Sequence, residues 1–142
     1  MSEIIIRKAE LQDLETVQRL QANAGLFLTA DGKSVFSLQE LQVYSEQGYL
    51  LVAELNGIVV GYNLGERLLD GGVMLWQCAV EDKYRGQGIG KKLLEEFEIF
   101  VKKNGASWIF AYSELNEATL GFYKKNGFIF GKDYKEIIKL LR

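Results

Sequence analysis

The apolar positions of this chain change period several times, and each change marks an element. "EIIIRKA" (Glu3–Ala9) is β-branched and predicts a strand, whereas Leu11, Leu14, Val17 and Leu20 recur every three residues and predict a helix with one apolar stripe. The stretch from Asn23 to Phe36 keeps no clean period and contains Asp31-Gly32, so it is expected to be mostly loop with room for a short helix. "SLQELQVYSEQG" returns to helical spacing, with Ser37 and Glu40 placed as a capping box and Gly48 as the stop.

A meander follows. "YLLVAEL" and "IVVGYNL" are joined by Asn56-Gly57, a strong two-residue hairpin signal because both positions tolerate positive φ. Asp70–Gly72 forms the next turn, and "VMLWQCAV" (Val73–Val80) is apolar almost throughout, as expected of a central strand covered on both faces. Ile89, Leu93, Phe97, Phe100 and Val101 then predict a helix that ends at Asn104-Gly105. "ASWIFAY" predicts a buried strand, "NEATLGFYKKNG" a helix stopped by Asn126-Gly127, and "FIF" and "KEIIKLL" two closing strands. The order β-α-α-β-β-β-α-β-α-β-β predicts an α/β sandwich with a mixed, largely antiparallel sheet. Repeats, linkers and proline are absent, and the 142 residues are expected to form one domain, 1–142.

Composition narrows the chemistry. There is no histidine, so Ser-His-Asp triads, Cys-His pairs and histidine metal sites are excluded. Cys78 is the only cysteine, which excludes an internal disulfide and a cysteine-rich zinc site, so no bound metal is expected. No apolar run reaches the ~20 residues of a membrane span, and "MSEIIIRKAE" lacks a signal-peptide layout, so a cytoplasmic protein without a membrane partner is expected. The net charge of −2 conceals an asymmetry. Residues 1–82 hold 5 basic and 12 acidic side chains, and residues 83–142 hold 12 basic and 7 acidic. An anionic ligand on the second half and a cationic one on the first would fit, as would unevenly spread solvated faces. The basic half does not point to nucleic acid, because its lysines at 91 and 92 alternate with Glu95 and Glu96 in helical pairing and the pI is near 5.3.

The stretch "YRGQGIGKK" (Tyr84–Lys92) carries the most specific signal. A GxxxxGK[ST] phosphate loop would need glycine where Arg85 stands and Ser or Thr where Lys92 stands. A G-x-G-x-x-G fingerprint fails at Lys91 when counted from Gly86, and at Leu93 when counted from Gly88. A plain strand-to-helix turn explains two of the three glycines but not readily their alternation. An anion site explains all of them: bare backbone N–H groups at a helix start, with Arg85, Lys91 and Lys92 adding charge, suit a pyrophosphate.

These residues resemble a known family. "RGQGIG" matches the [QR]-x-x-G-x-[GA] motif of the GNAT superfamily of N-acetyltransferases, and "NEATLGFYKKNGF" resembles that family's N-x(6)-Y-x(3)-GF segment. The order of elements agrees from residue 3 onward. The resemblance implies a GNAT-like fold with about four helices on the sheet, and acetyl-CoA as co-substrate. It implies that pantetheine pairs with Cys78, Ala79 and Val80 as an added strand would, with the Cys78 N–H facing the thioester carbonyl. Arg85, Gly86, Gln87, Gly88, Ile89, Gly90 and Lys91 would hold the pyrophosphate. Asn116 would bond the pantetheine arm, and Tyr123 would protonate the departing thiolate. Asn116 and Tyr123 are seven residues apart, about two turns, and so share a helix face.

The glutamates that some relatives use as base are replaced here by Met74 and Ala111. Glu81, Asp82, Glu114, Asp70, Tyr112 and Tyr44 are alternative proton acceptors, with none preferred. The expected activity is direct acetyl transfer to a primary amine, small or peptidic, with specificity set between Asn23 and Tyr44 and near Tyr112. A CoA-binding sensor without turnover is the alternative. A homodimer is compatible with the resemblance.

Overall fold

The computed structural model describes residues 3–24 and 36–135 together with 137, 139 and 141. Its elements run β1 (Ile4–Lys8), α1 (Leu14–Ala24), α2 (Leu38–Glu46), β2 (Leu50–Leu55), β3 (Ile58–Arg67), β4 (Gly72–Val80), α3 (Ile89–Lys103), β5 (Trp108–Ala111) and α4 (Glu117–Lys125). Short 3-10 turns occupy Leu11–Asp13 and Asp82–Tyr84. The sheet order is β1-β2-β3-β4-β5, antiparallel at every pair except the parallel β4–β5 pair. The described part is therefore the expected mixed, mostly antiparallel sandwich.

Local chemistry sets the boundaries. The Ser37 hydroxyl accepts from the Glu40 N–H at 3.1 Å and the Glu40 carboxylate accepts from the Ser37 N–H at 3.2 Å, so the capping box starts α2 as predicted. Asn56 and Gly57 adopt φ of 53° and 79°, the pair of left-handed residues that a tight hairpin needs to match strand twist. Arg7 on β1 bridges Asp13 at 2.7 Å and Glu54 at 3.1 Å, fixing the first turn to the β1–β2 ladder.

Two apolar layers clothe the sheet. On one face Leu51, Val73, Leu75, Leu93, Phe97 and Val101 pack α3 against the strands. On the other, Leu14, Val17, Leu20, Leu41, Tyr62 and Leu64 pack α1 and α2. A Cβ at Gly65 would collide with the Phe97 ring, so that glycine is what lets α3 lie close on β3.

β4 is covered on both faces and lies between two strands, as its apolar run predicts. Two expectations need correction. β5 is not the buried strand expected of "ASWIFAY": Trp108 and Phe110 are exposed, and Ile109 and Ala111 are half-buried. "FIF" forms no strand: only the Phe128 ring packs, at 5.2 Å from Tyr123, while Ile129 is almost fully exposed. Three residues leaving a helix can form only a bond or two of ladder, which is too little to hold them to an edge. The expected "KEIIKLL" strand lies partly outside the described residues, as does most of the Asn23–Phe36 loop.

Candidate functional site

The site begins where β4 leaves β5. Their parallel pairing covers Gly72↔Trp108 to Leu75↔Ala111 and then stops. β4 continues through Val80 against β3 alone, with Asn63↔Cys78, Tyr62↔Ala79 and Gly61↔Val80 in register. The divergence starts at a bulge: Gln77 faces Leu64 and Leu75 faces Gly65, leaving Trp76 as the extra residue. A bulge bends and twists its strand, which turns β4 away from β5. The main chain of residues 77–80 on the β5 side is thereby left without a strand partner among the described residues.

A buried polar cluster fixes that bend. Gln77 Oε1 accepts from the Tyr62 hydroxyl at 2.8 Å and from Gln21 Nε2 at 2.7 Å, and Gln21 Oε1 accepts from the Phe36 N–H at 3.0 Å. Tyr62 and Gln21 are fully buried, so these bonds form in a low-dielectric setting where they are strong. They tie β4 to α1 and to the residue that leads into α2.

Past Val80 the chain turns through Asp82–Tyr84 into the glycine stretch and α3. Gly86 and Gly88 adopt φ of 80° and 79°, and a Cβ on either would meet nothing within 4 Å. Gly90 is required for a different reason, since a Cβ there would lie 3.1 Å from the Phe122 ring of α4. All three glycines thus have structural causes, and their alternation alone does not prove a ligand. The donors are the stronger sign. From Gly86 to Lys91 no backbone N–H reaches a main-chain acceptor among the described residues, Gly88 supplies no side-chain cap, and no acidic residue lies in the first turn of α3. Uncapped N–H groups at a helix start, in line with its dipole, form a site for an anion.

The expected cations divide. Arg85 is exposed beside the loop, held by Asp82 at 3.1 Å and by the Val80 carbonyl at 3.2 Å. Lys91 extends into solvent 4.0 Å from Glu95. Lys92, in contrast, turns away and donates to the Ile4 carbonyl at 2.9 Å, so it fastens α3 to β1 rather than charging the loop. Helical geometry decides this, because Lys92 lies on the face next to the buried Leu93.

α4 completes the site. Asn116 is its N-cap, with Oδ1 accepting from the Thr119 N–H at 2.8 Å, so a structural duty is joined to the expected binding one. Tyr123 packs edge to face with Phe122 at 5.5 Å and Phe128 at 5.2 Å. Burial, and then the neighbouring Cys78, push its hydroxyl above the usual tyrosine range. Cys78 itself is half-buried, and burial pushes its thiol up to about 12. It stays a neutral thiol near pH 7 and is no nucleophile.

The proposed proton acceptors are mostly occupied. Glu81 faces Arg19 at 3.5 Å, Asp82 pairs with Arg85, Asp70 accepts from the Gly72 N–H at 3.0 Å, and Tyr44 donates to Glu66 at 2.8 Å. Tyr112 ends a ladder of rings with Phe110 and Trp108, and Glu114 is exposed. Glu66 escaped the sequence reading altogether. It faces Met74 across β3 and β4 and accepts from the Trp76 indole at 3.4 Å, a placement visible only once the register is known.

Known proteins share this fold. A family model described as an acetyltransferase (GNAT) domain matches residues 46–130, more than half of the chain. The chain belongs to the GNAT acetyltransferase family. Among solved structures, the aminoglycoside N-acetyltransferase AAC(6')-Iy in complex with CoA superposes with TM-score 0.80 at 16% identity, covering 98% of this chain and 96% of that one. An aminoglycoside acetyltransferase from an uncultured soil metagenomic sample, in complex with sisomicin, gives 0.74 at 20% identity over 98% and 97%. The PaiA N-acetyltransferase from Thermoplasma acidophilum, in complex with coenzyme A, gives 0.72 at 22% over 93% of each chain. At these identities the likeness speaks for the GNAT fold. No curated protein matches the sequence significantly. No helix among the described residues is long and apolar enough to cross a membrane.

Proposed function

We propose that this GNAT chain, as one domain spanning residues 1–142, transfers an acetyl group directly from acetyl-CoA to a primary amine. The observation that carries this is the row of unengaged N–H groups from Gly86 to Lys91 beside the open edge of β4. The row fits a pyrophosphate in charge and donor density, with Arg85 and Lys91 at its rim, and the open edge fits the amide-bearing pantetheine arm as an added strand. Acetyl-CoA supplies an acyl group activated as a thioester. The protein residues do the rest.

Cys78, Ala79 and Val80 offer main-chain groups to the arm, and the Cys78 N–H is assigned to the thioester oxygen, where it would stabilise developing negative charge. Asn116 has its amide nitrogen left for the arm while its oxygen caps α4. The neutral amine nitrogen forms a bond to the acyl carbon as the carbon–sulfur bond breaks, and the Tyr123 hydroxyl donates its proton to the departing sulfur. The proton shed by the nitrogen passes to solvent, from which Tyr123 is reprotonated. The burial that raises the Tyr123 pKa keeps its hydroxyl protonated at neutral pH, so the proton is in place when the thiolate departs. The neutral thiol of Cys78 supports direct transfer over an acyl-cysteine route.

A thermal-shift comparison tests the ligand. Acetyl-CoA at 100 times its Kd should stabilise the protein by about 2.7 kcal/mol, whereas ATP and NAD should give far less. Stabilisation by ATP or NAD alone would overturn the assignment. The same proposal places the protein in the cytoplasm as a homodimer. Trp108, Phe110 and Tyr112, exposed side by side on β5 and the residues after it, are the apolar surface among the described residues that supports association. Light scattering that returned the mass of one chain at micromolar concentration would contradict the dimer.

A further inference from the structure

Glu66 stands at the end of β3 with a half-buried carboxylate whose single oxygen Oε1 receives both the Tyr44 hydroxyl at 2.8 Å and the Trp76 indole at 3.4 Å. No described residue engages the other oxygen, Oε2. Two donors on one oxygen hold the carboxylate in a fixed orientation. Around it lies a cleft of about 580 Å³ lined by Val43, Tyr44, Gln47, Tyr49, Glu66 and Arg67. Phe36 packs edge to face on Tyr44 at 5.6 Å, so aromatic surface borders the acid. A fixed carboxylate beside aromatic rings suits an organic ammonium, which gains both a charge-assisted hydrogen bond and attraction to ring faces. Arg67 also lines the cleft, but its guanidinium donates to the Asn104 carbonyl at the end of α3, and Glu40 on α2 adds negative charge near Tyr44.

The cleft is linked to the transfer site. Trp76 is both a donor to Glu66 and the first β4 residue beyond the last β4–β5 pair. Cys78 lies opposite Asn63, three residues from Glu66 along β3. At the strand rise of ~3.3 Å per residue, the Glu66 backbone lies about 10 Å along the sheet from the Cys78 position.

We propose that Glu66 receives a second ammonium group of the acceptor, so that the preferred acceptors are diamines or polyamines whose remote cation lies about 10 Å from the amine that reacts. This rests on the acetyltransferase function proposed above. It assigns the acidic first half of the chain a defined role, in which one carboxylate measures the length of the acceptor.

The test compares straight-chain terminal diamines of increasing length with monoamines of equal length, using wild type, Glu66→Gln and Glu66→Asp. Stabilisation by acetyl-CoA serves as the folding control for each variant. Wild type should favour the long diamines over matched monoamines by roughly 30-fold in kcat/KM, the scale of one desolvated charge pair. Glu66→Gln should erase that preference by raising KM, with kcat within about twofold and monoamine rates unchanged. Glu66→Asp should restore part of it and move the optimum to a longer chain. Equal preference in wild type and Glu66→Gln, or no diamine preference while monoamines turn over, would overturn the Glu66 assignment alone. Failure of wild type to acetylate either series would overturn the transferase proposal together with it.

Discussion

Gly88→Asp should abolish acetyl-CoA binding and leave the protein folded. Gly88 is the N-cap of α3 at φ 79°, and a Cβ there meets no atom within 4 Å. Aspartate is among the few residues that tolerate the left-handed region, at a cost of about 1–2 kcal/mol. Its carboxylate would recover part of that cost by capping the first N–H groups of α3. The same cap occupies the donors assigned to the pyrophosphate and places a negative charge among them. Charge-assisted hydrogen bonds contribute about 1.5–3 kcal/mol each, so losing even two should weaken binding by roughly 100-fold or more. Titration calorimetry would show the loss, and a urea midpoint close to wild type would show the retained fold. Gly90→Ala offers the contrast, because its methyl would press on Phe122 and disturb the α3–α4 contact.

Tyr123→Phe should cut kcat by about 10²-fold while acetyl-CoA affinity stays within about threefold. The ring remains between Phe122 and Phe128, and only the proton donor is lost. The pH profile gives an independent reading. Because the Tyr123 pKa is raised, the hydroxyl stays protonated past the ordinary tyrosine value near 10. kcat/KM should therefore rise as the acceptor amine loses its proton and show no falling limb from Tyr123 up to about pH 10. An unchanged kcat in the variant would remove Tyr123 from the chemistry, whereas acetyl-CoA binding by wild type with no turnover of any amine would favour a CoA-binding sensor.

Much of this was legible in the chain because the signals were local. The Ser37–Glu40 capping box, the Asn56-Gly57 hairpin and the helix entry at Gly88 each depend on a few adjacent residues, and each appears where the spacing placed it. What depended on register was hidden. The bulge at Trp76 arises from how β3 and β4 align, and it decides both the opening of β4 and the meeting of Trp76 with Glu66. Lys92 was misread because a charge count cannot tell which helix face a lysine shares with a neighbouring strand. The three glycines were read as one motif although the structure separates two left-handed turns from one close approach. "FIF" had the composition of a strand, but strand formation needs a partner edge, which composition does not specify.

The most direct measurement is an amide NMR titration of the protein with acetyl-CoA, following each backbone N–H as ligand is added. The largest shifts should fall on residues 86–91 and on the open side of β4 from Gln77 to Val80, with smaller ones on Asn116. Shifts that spare the head of α3 and cluster elsewhere on the sheet would contradict the anion site, and with it the function built upon it.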